Sequence, residues 1–270
     1  MSAATRRLPS QETAELSGLA FDDAGKGDPN MLFLHGWCGD RTFFAPQFKH
    51  FSGAHRVVSV DLPGHGESPA PVQCTIEALA TEVSTLTHTL GLTDLVVFGH
   101  SIGAMVALSL TEQRPGLVSA VVMVDPPPLS KEVWRDFAAE LVPSFSGPGG
   151  SAGRRRFVEQ MFLPTDDADR KARIIRTMCA VPNDVAIPMV KAMASFDSVA
   201  VLSTCQVPIL VIASAVPTND SAFLQEVNPT ITTGQTVGAG HFHQLEVPEQ
   251  VNPMIERFLS TTPQRATAAP

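Results

Sequence analysis

Five short apolar runs, none alternating with polar residues, set the strongest limit on what this chain can fold into. They are residues 31–34, 57–60, 95–98, 119–124 and 207–213. A strand with one wet face alternates, whereas a strand covered on both faces has no need to. Helical stretches lie between the runs. Over 75–90, Ile76, Leu79, Val83, Leu86 and Leu90 recur at spacings of three and four until Gly91, the pattern of an amphipathic helix with a glycine stop. A second helix is expected over 102–113, ending before Pro115. A third, over 248–259, places Val251, Met254, Ile255 and Phe258 on one face. A weaker run at 235–237 gives a last strand, and 15–22 alternates weakly, as an antiparallel edge strand would. Strands alternating with helices define an α/β protein with a mostly parallel central sheet and helices on both faces.

Residues 129–198 interrupt this rhythm. They hold no comparable strand run and are broken by Pro143, the segment Gly147–Pro148–Gly149–Gly150, Pro164, Pro182 and Pro188, with short helical patterns at 133–141 and 170–180. This reads as a helical cap inserted between two strands at the carboxyl edge of the sheet, where ligands bind. The expected organisation is a first core part at 13–128, the cap or lid at 129–198, a second core part at 199–260, and a flexible tail at 261–270. There is no internal repeat. With 270 residues, 44% of them hydrophobic, the chain can bury a full core. A net charge of −8 repels phosphate backbones and argues against nucleic acid as a partner. No apolar run approaches the ~20 residues of a membrane span. Arg6 and Arg7 precede no apolar stretch, so residues 1–12 do not read as a secretory signal, and a cytoplasmic protein is expected. Cys38, Cys74, Cys179 and Cys205 have no zinc or redox spacing and read as small buried side chains in a reducing compartment. Nothing in the sequence sets an oligomeric state.

The chemistry concentrates at the strand ends. Gly99–His100–Ser101–Ile102–Gly103 follows the strand at 95–98 and opens a helix, the context of a nucleophile elbow that lifts a serine oxygen above the sheet edge. His35–Gly36–Trp37–Cys38–Gly39 follows the strand at 31–34. Its Trp37 N–H, with the N–H of Ile102, would form an oxyanion hole, while His35 reads as a structural residue shaping the loop. His241, after Gly238–Ala239–Gly240 and before the last helix, is placed to take a proton from Ser101. His243, two residues on, is expected to line the site or lie on the surface. Two aspartates compete to orient the imidazole: Asp125, at the end of the strand 119–124, and Asp220, beyond the next strand.

These motifs resemble those of the α/β-hydrolase superfamily. The resemblance rests on His35–Gly36–Trp37, Asp61–Leu62–Pro63–Gly64–His65–Gly66–Glu67–Ser68, the elbow at Ser101 and Gly240–His241–Phe242, and spans about residues 30–260. It implies that the cap lies between the sixth and seventh strands and that the Asp61–Ser68 segment is a structural turn. The family usually carries its acid a few residues after the strand at 207–213. Here that turn reads Ser214–Ala215–Val216–Pro217, and proline cannot serve. In having an acid at the end of the preceding strand, after strand 6 of the family, the chain resembles zearalenone-type lactonases and cofactor-free quinolone dioxygenases. The resemblance therefore favours Asp125, with Asp220 in reserve.

The leading functional expectation is a serine hydrolase cleaving a carboxylic ester or lactone of a small, largely apolar or aromatic molecule through an acyl-enzyme, with no metal or organic cofactor. Two other readings are open: cofactor-independent oxygenolytic cleavage of a 3-hydroxy-4-quinolone-like ring by a His–Asp dyad, and a small-molecule receptor on the same scaffold. Trp37, Trp134, Phe137, Met161 and Met193 are the expected substrate-binding residues, with Val133, Phe162 and Met189 as further candidates for the pocket wall.

Overall fold

The computed structural model describes residues 18–262. The expectations for residues 1–12, for the start of the core at 13 and for 263–270 of the tail lie outside the described residues. Seven strands are described: β1 (Phe21–Ala24), β2 (Asn30–Leu34), β3 (Val57–Val60), β4 (Leu95–His100), β5 (Val118–Val124), β6 (Ile209–Ala213) and β7 (Thr232–Gln235). They form one sheet in the order β1-β3-β2-β4-β5-β6-β7. All neighbours are parallel except β1, which pairs antiparallel with β3. The edge strand expected over 15–22 is thus described as Phe21–Ala24. The last strand lies upstream of the expected 235–237, because β7 pairs Thr232 to Gln235 against Leu210 to Ala213 and leaves Val237 exposed.

Every residue of β2, β3 and β4 is buried, which is why these runs do not alternate. The two faces nevertheless separate by parity. Met31, Phe33, Val96 and Phe98 pack on one side, where Phe33 stacks on Phe98 with centroids 4.5 Å apart; Leu32, Leu34, Leu95 and Val97 pack on the other. The first side is closed by α1 (Ala45–Phe51) and the C-terminal helix through Val251, Ile255 and Phe258. The second is closed by α2 (Ile76–Thr89) and α3 (Ile102–Gln113). Thr75 caps α2 by accepting the Ala78 N–H at 3.1 Å.

Between β5 and β6 the chain builds α4 (Lys131–Phe145), α5 (Gly150–Glu159), α6 (Ala168–Ala180), α7 (Asn183–Ser195) and α8 (Ser198–Thr204). The flanking strands are the expected ones, and they are the fifth and sixth of those described. Helical structure continues to Thr204, past the expected limit at 198. Pro143 and Pro188, read as breaks, lie inside α4 and α7. An interior proline costs a helix about 3 kcal/mol, and burial of Val185, Ala186, Met189, Val190 and Met193 along α7 offsets that cost. The chain closes with α9 (Ser221–Val227), α10 (His243–Glu246) and α11 (Pro248–Thr261), so the expected tail begins one residue inside a helix.

Candidate active site

Ser101 joins β4 to α3 with φ 52° and ψ −123°, a conformation that a side-chain-bearing residue adopts only at a cost. The turn closes because Gly99 and Gly103 have no side chains. A Cβ on Gly103 would sit 2.2 Å from the Leu34 carbonyl oxygen, and one on Gly99 would sit 2.3 Å from that of Gly103. The Ser101 N–H donates to the Val124 oxygen at 3.0 Å. Asp125 is the next residue, just past the end of β5, with φ 40° and its N–H bonded to the Ile212 oxygen at 2.8 Å. Serine and aspartate therefore leave adjacent parallel strands side by side.

His241 lies in the loop between β7 and α10. Its ring Nδ1 is 2.6 Å from Asp125 Oδ2. An ionised carboxylate only accepts, so Nδ1 carries the proton and Nε2 is left unprotonated. The other carboxylate oxygen, Oδ1, accepts the Ser214 N–H at 2.9 Å. Burial by itself would raise the Asp125 pKa. The hydrogen bond and charge of His241, the charge of His243 and the Ser214 N–H outweigh it and hold the group below its ordinary value. Ser101, Asp125 and His241 line one cavity; the Ser101 hydroxyl makes no hydrogen bond to the imidazole among the described residues. Asp220, the reserve acid, is exposed and caps α9 by accepting the Ala222 N–H at 3.0 Å. It does not line the cavity.

The cavity holds about 400 Å³, within the range of small-molecule sites. Trp37, Trp134, Phe137, Met161 and Met193 all line it, with Val133 and Phe162. Met189 is fully buried and lies behind the wall. Among the described residues no lysine or arginine lines the cavity, and Asp125 and His241 are its only titratable groups. Of its lining residues, Val133, Gln160, Val216 and Thr218 are exposed. The Trp37 ring is fixed by its indole N–H, which donates to the Ala186 oxygen of α7 at 2.8 Å, and by stacking on Phe145. Ile102 is the first residue of α3, so its N–H is one of the donors a helix start leaves unsatisfied.

Three further histidines, His35, His65 and His243, are buried and hydrogen-bonded away from the cavity. His35 donates from Nδ1 to the Gly36 oxygen and accepts the Leu62 N–H at Nε2, and burial lowers its pKa to about 4. His65 bonds the Pro63 oxygen and accepts the Cys38 N–H; burial, with the charge of His35, lowers it to about 3. In the Asp61–Ser68 segment, Asp61 receives the N–H groups of Arg41 and Glu67 and pairs with the Arg41 guanidinium. His243, expected at the cavity or the surface, is neither. It is fully buried against Thr236 Oγ1, and burial lowers its pKa to about 4. Cys38 is buried with φ 55°, and burial raises its thiol pKa.

Three further residues, His100, Ser214 and Asp166, shape the site. His100 donates from Nε2 to the His241 carbonyl oxygen at 2.9 Å. Ser214 occupies the turn beyond β6, and its N–H donates to Asp125 Oδ1. Asp166, from the inserted helices, accepts the Gly240 N–H. His100 sits inside the elbow motif, where its neighbour on β4 could have signalled it; nothing in the sequence marked Asp166. Among the described residues no cluster of His, Cys, Asp and Glu is placed to hold a metal ion, and no single helix is long and apolar enough to cross a membrane.

A parallel sheet with one antiparallel edge, a serine at a strained strand–helix turn and a histidine–aspartate pair at the same rim define an α/β-hydrolase architecture. Residues 29–147 match the family model described as the alpha/beta hydrolase fold, and the fold of the chain is that of the α/β-hydrolases. It is 35% identical over 129 residues to the sn-1-specific diacylglycerol lipase ABHD11 of Mus musculus, a match covering 46% of this chain and 42% of that protein. It is 28% identical over 241 residues to the RutD protein of Caulobacter sp. (strain K31), which carries a carbamate-hydrolase name; that match covers 85% and 90% of the two chains. A thermophilic esterase from Thermogutta terrifontis superposes with a TM-score of 0.79 at 24% identity, over 90% of this chain and 93% of that one. The chain thus spans less than half the length of the mouse lipase it matches. These similarities support a hydrolase.

Proposed function

We propose that the protein hydrolyses a carboxylic ester or lactone of a small, uncharged, largely apolar or aromatic molecule, with Ser101 as nucleophile, His241 as base and Asp125 as the acid that orients it. The reading is carried by the 2.6 Å bond between His241 and Asp125 at the wall of the cavity that also holds Ser101. Ser101 Oγ attacks the carbonyl carbon while His241 Nε2 takes its proton. The oxyanion is held by the N–H groups of Trp37 and Ile102, each worth about 3–4 kcal/mol in such a role. Collapse of the intermediate expels the alcohol as His241 returns the proton, leaving an acyl group on Ser101. A water deprotonated by His241 then attacks the acyl carbon and regenerates the serine. Asp125 lines the cavity, and among the described residues the cavity supplies no lysine or arginine to hold a substrate carboxylate. An uncharged substrate follows from that arrangement. Similarity to a lipase, an esterase and a protein named for carbamate hydrolysis fits acyl transfer to water.

The test is turnover of p-nitrophenyl acetate and butyrate, with covalent labelling by a serine-directed phosphonate. Ser101→Ala is expected to abolish both turnover and the mass increment. Turnover unchanged in that variant removes the assignment.

A further inference from the structure

The inserted helices hold the base in place through one short segment, residues 161–167. The Met161 carbonyl oxygen accepts the His241 N–H at 2.9 Å. Asp166 Oδ1 accepts the Gly240 N–H at 3.1 Å, while its Oδ2 accepts the Leu163 N–H at 2.8 Å and so fixes the carboxylate on its own turn. Thr165 Oγ1 donates to the Gly238 oxygen at 3.0 Å. Three contacts, on residues 238, 240 and 241, therefore clamp this stretch of backbone. The approach is close enough that a Cβ on Gly240 would lie 2.6 Å from the Met161 oxygen and 2.7 Å from Asp166 Oδ2. Further along, Asp167 and Arg170 bind Glu246, but that link touches neither Gly240 nor His241. From the core side, the His100 ring donates to the His241 carbonyl oxygen and the Ala215 N–H to that of Ala239.

We propose that Asp166 is a positioning residue for His241. By holding the peptide N–H one residue before it, Asp166 sets the distance of the imidazole from Asp125. The inserted segment is on this view a working part of the proton-transfer apparatus and not only a cover. The inference rests on His241 as the base, so its test includes a readout that needs no turnover. With isotope-labelled histidine, the Nδ1–H signal of His241 reports the bond to Asp125 directly. Asp166→Ala is expected to weaken the Nδ1–H signal, because the imidazole shifts away from the carboxylate that holds it at 2.6 Å. The same variant is expected to lower kcat by roughly 10- to 100-fold, as a displacement of about 1 Å can, with KM changed less than about twofold. Gly240→Ala pushes the clamp away without removing its acceptors and should give the same signature, which covers the case in which Asp166→Ala does not fold. Arg170→Ala loosens the neighbouring link to Glu246 and should leave the His241 signal and kcat unchanged. A folded Asp166→Ala or Gly240→Ala protein with an unaltered His241 signal overturns the proposal, as does an Arg170→Ala protein that reproduces their effect. Failure of the hydrolase reading would show separately, as turnover that survives Ser101→Ala.

Discussion

Replacing Asp125 by asparagine should cost far more than the loss of one charge, and the Ser214 amide is the reason. The two oxygens of Asp125 have different partners: Oδ1 accepts the Ser214 N–H and Oδ2 accepts Nδ1–H of His241. An asparagine has one acceptor and one donor in those places. The Ser214 N–H belongs to the backbone at the end of β6 and cannot turn away, so the carboxamide oxygen stays with it and the NH₂ faces the imidazole. His241 must then accept at Nδ1 and carry its proton on Nε2, the tautomer that cannot take a proton from Ser101. We expect Asp125→Asn to lower kcat by roughly 10⁴, as for a triad acid, equivalent to about 5.5 kcal/mol of transition-state stabilisation. KM should change little. The assay is p-nitrophenyl ester turnover of a variant shown to be folded by circular dichroism, with the protonated ring nitrogen identified by NMR. A loss smaller than about tenfold, or retention of the Nδ1 proton in the variant, would refute the reasoning.

Asp220→Ala should leave kcat unchanged and cost up to about 1 kcal/mol in urea unfolding through its cap on α9; a large loss of activity would move the acid. Acid stability should be limited by buried neutral histidines. Burial lowers His35 and His243 to about 4 and His65 to about 3, and lowers His100 as well. Unfolding restores values near 6.5, so below that pH the unfolded chain binds more protons. Stability is therefore complete above about pH 6.5 and falls toward pH 4 by about 1.4 kcal/mol per pH unit for each histidine. The depressed Asp125 acts in the same direction at lower pH. A urea midpoint that stays flat between pH 6.5 and 4 would contradict this. Phe137→Ala, which widens the cavity, should shift the preferred p-nitrophenyl ester toward longer acyl chains, and an unchanged chain-length profile would show that the acyl group lies elsewhere.

Much of this was legible because the signals were local. The buried runs announced the parallel sheet, and Gly99, Ser101 and Gly103 announced the elbow, since only glycine fits against the backbone there. The placement of Asp125 beside His241 was legible by a different route, from the proline where an acid usually stands. The misses are tertiary. Pro188 looks like a break until the buried face of α7 is seen. His243 looks like a second site histidine, yet two residues along the chain turn it from the cavity into the core. The weak strand at 235–237 is displaced because pairing with β6 decides its register, and an edge strand as exposed as β7 has little hydrophobic pattern to show it. Asp166 carried no signal at all, because its partner lies 74 residues away.

Asp125 stands one residue before the prolines through which the chain departs into the inserted helices, and those prolines are tied down by Thr218 and Asn219. The aspartate and the histidine thus both stand at seams between the sheet and the added piece, while the serine belongs to the sheet alone. Swapping that piece for one from a relative, to change what the protein accepts, would disturb two of the three groups together unless the graft brings its own fastenings at both seams.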